Sequence, residues 1–259
     1  MDNKETGIAI INMVLMKYNL YPFVSEFCDK IEIIESDDFY GNIMQYIEIE
    51  SQKENVILCK RQFEYIDATV IMPQKINRTA YILLKTDLTL ESSIRKTIHE
   101  LIHLVHRCII TKKLMLSDLY EIEEHCDYKL FYYLDEFLTK KKELIIYYDL
   151  LHKNKKIVDD HVYIETMAKA FKPSKESSLD SLGIMRNELF TIAETMAYIN
   201  IFPGMFPEHF IEKHSSMSDI SDIMKILSSI EHIDFFITNK EELKNVINLI
   251  ENNLYTSHQ

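Results

Sequence analysis

The sequence predicts an α+β fold: a helix, a small sheet and two further helices over residues 1–140, then an all-α region over 141–259. Three observations carry this. Only 4 Gly, 5 Pro and no Trp among 259 residues leave too few turn-forming positions for a loop-rich β-sandwich. Between residues 29 and 86 the apolar residues come in short, β-branched runs separated by polar breaks, which is strand texture. After Thr86 the apolar spacing becomes helical and stays so to the end.

The elements follow in order. Residues 6–20 are continuous and apolar-rich at helix length, and Pro22 ends them. The strand runs are Ile31–Ile34, Ile43–Ile49, Val56–Cys59, Tyr65–Met72 and Ala80–Leu84, broken at Ser36-Asp37-Asp38, Asn55 and Pro73. They read as an antiparallel or mixed sheet. A helix over 91–110 comes next, then a turn over 111–116. A second helix opens near Asp118, with Glu121 three residues on as in a capping box, and runs to about Leu138. The remaining helices break at 172–178, 203–207 and 238–239, and the polar stretch 172–181 is the best linker candidate.

Composition excludes several functional classes. With 29 Lys+Arg against 41 Asp+Glu, the formal charge is −12, and such a field repels phosphate backbones. Nucleic acid is therefore not expected as a direct partner. Four cysteines without a CxxC pair make no dense disulfide framework and fit reduced thiols in a cytosol. The N-terminal residues lack a cationic segment and a small-residue cleavage site, so a cytoplasmic protein is expected. The most apolar stretch, Leu189–Phe206, contains Glu194, Asn200, Pro203 and Gly204, which predicts a buried helix and no membrane span.

Chemistry concentrates at His99-Glu100-Leu101-Ile102-His103, an HExxH motif on the 91–110 helix. Residues four apart lie one turn apart on one helix face, so both imidazoles can reach one ion, and zinc favours imidazole nitrogen. Glu100, beside the first ligand, can take a proton from a metal-activated water. The flanking Ile98, Leu101, Ile102, Leu104 and Val105 bury much of the helix, where two His and a carboxylate are costly without a shared partner. The alternative is an amphipathic helix with two core histidines. His106 reads as a core histidine or one that supports the ligands from behind, because three His at i, i+4 and i+7 spread too far along the axis for one ion.

A catalytic zinc usually takes a third protein ligand. His106 and Ile109 stand where a metzincin needs Gly and His, which leaves a Glu from a later helix. Glu123 is the favoured candidate, because Asp127 one turn on can accept the free N–H of a ligand His and fix its tautomer. Glu165 and Glu194 remain alternatives, each a carboxylate on an apolar helix with a small residue three positions later.

At these residues the chain resembles the gluzincin metallopeptidases. Thr79–Leu84, a short polar stretch and Arg95-Lys-Thr-Ile-His-Glu-Leu-Ile-His103 are similar to the strand and HExxH helix of the intracellular ImmA/IrrE group. Glu123-x-x-Cys126-Asp127 is similar to that group's third-ligand motif, with Ile98, Ile102 and Cys126 departing from its usual small residues. The resemblance covers about residues 1–140. It implies a zincin-like N-terminal domain with zinc on His99, His103 and Glu123, Glu100 as base, Asp127 in support, and cleavage of a specific protein such as a transcriptional repressor. The string from His99 to Arg107 also looks like clostridial neurotoxin light chains, a toxin-type site-specific protease.

The reading is thus an intracellular zinc endopeptidase with a protein substrate, which would add as a strand at an edge such as 80–84. Tyr120, His125, Tyr128 and Tyr198 are the candidates for oxyanion stabiliser. The competing reading is an inactive peptidase-like binding or regulatory protein. The region 141–259 is either a recognition module, using Phe202, Met205, Phe206 and Phe210, or packed core.

Overall fold

The computed structural model describes residues 3–46, 66–73, 75, 77–151, 160–170, 181–215, 217 and 219–256. It is α+β and mostly helical, with one three-stranded sheet among the described residues. The chain divides into two compact units, Met1–His125 and Cys126–Gln259. No helix among the described residues is long and apolar enough to cross a membrane.

The first unit opens with α1 (Asn3–Lys17). Asn19 ends this helix, earlier than Pro22 would. It sits at φ 51°, and the Leu20 N–H reaches back to the Leu15 carbonyl at 2.9 Å. This left-handed C-terminal turn suits Asn. Pro22 instead opens the short α2 (Tyr21–Val24), where its missing N–H costs nothing.

β1 (Lys30–Glu35), β2 (Ala68–Ile71) and β3 (Thr79–Leu84) form a mixed sheet in the order β1-β3-β2. β1 runs parallel to β3, with Ile33 opposite Ile82, and β2 runs antiparallel to it, with Val70 opposite Ile82. The expected strand at 43–49 does not form over its described part: Phe39–Tyr46 is a helix, α3. Its start is capped by Asp38, whose carboxylate accepts the Gly41 N–H at 2.9 Å. Phe39 and Ile43, four apart, then pack on Ile71 and Leu83. The expected strand at 56–59 lies outside the described residues.

The opposite sheet face carries Ile33, Ala80 and Ile82, all buried, and packs on α1 and on α4 (Leu90–Lys113). Gly7 lets α1 approach this layer. A Cβ there would sit 2.2 Å from Cδ1 of Ile33 and 3.4 Å from Oγ1 of Thr97. Thr89 caps α4 by accepting the Ser92 N–H at 3.2 Å. At the other end Met115 adopts φ 55°, and the Leu116 N–H bonds the Thr111 carbonyl at 2.9 Å.

The expected helix over 118–138 is interrupted. A 3-10 turn (Leu119–Glu121) and a single helical turn, α5 (Ile122–His125), precede the break, and α6 (Tyr128–Leu151) follows it. Asp118 caps as expected, accepting the Tyr120 N–H at 2.8 Å, while Glu121 reaches the Ser117 N–H at 3.1 Å.

The second unit is all-α. α6 packs along α8 (Ser181–Ile201), beside α7 (Asp160–Ala170), α9 (Phe210–His214), α10 (Ile220–Ser229), α11 (Phe235–Thr238) and α12 (Lys240–Thr256). Tyr133, Phe137, Leu189, Leu227, Leu243 and Ile247 meet at its core. Phe210 is buried and meets Phe206 edge-on, which is core packing.

Candidate metal centre

α4 is a long helix with a polar seam in an apolar surround. Ile98, Leu101 and Leu104 have no exposed surface, and His99 and Glu100 are each 7% exposed. Ideal helix geometry separates His99 from His103 by about 6 Å along the axis, so their side chains must converge for both to touch one ion. They do: the two Nε2 atoms lie 3.1 Å apart, with the rings at 79° to one another. Two nitrogens about 2.0–2.1 Å from a tetrahedral ion stand roughly 3.3 Å apart, so the pair has the bite that such an ion needs.

This imidazole pair could hold a metal ion. Glu100 follows the first imidazole on the same helix and is buried. Glu136, on α6 in the second unit, is 5% exposed, and its Oε2 is shut off from solvent.

The Glu123 carboxylate takes an ion pair from Arg107, with Nη2 to Oε1 at 3.2 Å, and its side chain is 45% exposed. Asp127 accepts the Leu130 N–H at 3.4 Å and so helps start α6. Glu165 is exposed on α7, and Glu194 is half-buried on α8. His106 is buried at 1% exposure, as expected of a core histidine.

Two of the oxyanion candidates are held by backbone. The Tyr120 hydroxyl donates to the Met72 carbonyl at 3.1 Å, and the exposed His125 ring lies 3.0 Å from the Glu121 carbonyl. Tyr198 stacks on Phe202 within the second unit. The side chain of Tyr128 lies outside those described. The expectation that a substrate strand pairs at 80–84 is corrected: β3 is the central strand and has partners on both sides.

No family model matches the chain, and neither a curated protein nor a solved structure does.

Proposed function

We propose that this chain is a zinc-dependent endopeptidase, with His99 and His103 as metal ligands, a carboxylate as the third and Glu100 as general base. One observation carries the reading: two imidazole nitrogens 3.1 Å apart on a helix whose next residue after His99 is a buried carboxylate.

Zinc held there would supply a Lewis acid and lower the pKa of a water in its open position. The chain supplies the rest. His99 and His103 present their Nε2 atoms to one point, with their geometry set by the i, i+4 spacing. Glu100 accepts a proton from the attacking water and returns it to the leaving amine nitrogen. The substrate class is protein, as the resemblance implies. A specific repressor as target, and a reducing cytosol as location, belong to the same proposal. The buried free thiols of Cys28 and Cys108 support a reducing compartment.

Glu100→Gln tests the reading. It keeps the shape and the ligands and removes the base. The expected result is unchanged zinc content with cleavage of a degenerate peptide library, read by mass spectrometry, reduced by about 10²–10⁴. Equal cleavage by both proteins refutes Glu100 as base. Bound zinc with no cleavage by either protein favours the binding-protein reading.

A further inference from the structure

α1 carries apolar residues on two sides, and the described residues cover one of them. Ile10, Ile11, Val14 and Leu15 are 0–5% exposed, and the helix packs on β1 and α4. On the other side Ile8, Met13 and Met16 are 39%, 43% and 79% exposed, among the polar Glu5, Asn12 and Lys17.

The exposed side has an order that says what covers it. Glu5, Ala9, Met13 and Lys17 are all exposed and spaced by four residues, so they form one stripe. Read backwards, the stripe is complementary to itself: acid meets base, and small meets large. Two copies of α1 laid antiparallel about a dyad near Ile11 set Glu5 against Lys17 of the other copy and Ala9 against Met13. The symmetry repeats both pairs. The neighbouring stripe, Ile8, Asn12 and Met16, has its one polar residue in the middle. Asn12 then faces its own copy near the dyad, and a single buried Asn pair fixes register in such seams.

We propose that the outer face of α1 is a homodimer seam, occupied by α1 of a second copy of this chain running antiparallel. A 15-residue helix is about 22 Å long, so one helix pair buries less than the roughly 1,200 Å² of a standard stable interface. The dimer is therefore weak and concentration-dependent, in the micromolar range or above.

Sedimentation velocity of the full chain from about 1 µM to about 300 µM tests it. The mass is expected to rise from 30.7 kDa toward twice that value across the series. Glu5→Lys alone, or Lys17→Glu alone, sets like charges opposite each other twice and should weaken association by at least about fivefold. The double variant Glu5→Lys/Lys17→Glu restores opposite charges and should recover the wild-type constant to within about twofold. Met13→Glu should leave monomer, with circular dichroism confirming that each variant is folded. A monomer at every concentration overturns the proposal. So does a dimer that ignores the single charge changes or is not rescued by the double change, because another face then makes it.

Discussion

Arg107 holds Glu123: its Nη2 lies 3.2 Å from Oε1, and its Nη1 donates to the Leu119 carbonyl at 3.4 Å. The guanidinium is 12% exposed and the carboxylate 45%. This pair ties the turn before α5 to the HExxH helix and engages the very carboxylate that the sequence offered first as a ligand. Glu123→Ala is expected to leave metal content unchanged and to lower stability by no more than about 1 kcal/mol, the range of a half-exposed ion pair. Elemental analysis beside urea unfolding checks both. Loss of metal would return Glu123 to the ligand set.

Met115 is predicted to stabilise the chain when replaced by glycine. It closes α4 at φ 55°, where a side chain is strained, and it is 91% exposed, so little packing is lost. Met115→Gly should add about 0.5–1 kcal/mol. The midpoint of urea unfolding reads this, and a lower midpoint would contradict it.

Glu188 predicts a pH dependence. Burial pushes its carboxyl up to about 7 from the ordinary 4.5. Between those values the folded chain binds more protons than the unfolded chain. The contribution is fully present below pH 4.5 and is lost as the pH rises through 7. Glu188→Gln removes the titration. Wild type is therefore expected to lose about 2–3 kcal/mol relative to the variant between pH 5 and pH 8. Unfolding curves at four pH values check it, and parallel pH profiles would contradict it.

What the sequence made legible was what local chemistry decides. β1 and β3 follow from their β-branched runs, and α4 follows from the apolar spacing, although the cap at Thr89 was not read from it. The HExxH face follows from helix geometry alone, because both imidazoles lie on one element. α3 was misread because Ser36-Asp37-Asp38 was taken for a break, when Asp38 is the cap that starts a helix. The single helix expected over 118–138 missed the break at Cys126–Asp127, where Asp127 begins a new helix. Asp135-Glu136 interrupts the apolar run from Leu130 to Leu138, the same anomaly that singled out Glu165 and Glu194, and Glu136 is buried.

Metal removal should be visible in stability. An ion bound by the folded chain and absent from the unfolded one adds RT ln(1 + [L]/Kd), about 2.7 kcal/mol at a hundredfold excess over Kd. Chelator is expected to lower the melting temperature by several degrees, and zinc is expected to restore it. A melting temperature indifferent to both would contradict a bound ion.

The most direct test of the central claim is zinc stoichiometry by elemental mass spectrometry on chain purified with zinc supplied. Wild type should carry about one zinc per chain, and His99→Ala and His103→Ala should each lose most of it by removing a ligand. Wild type without zinc, or His103→Ala with a full complement, would contradict the account.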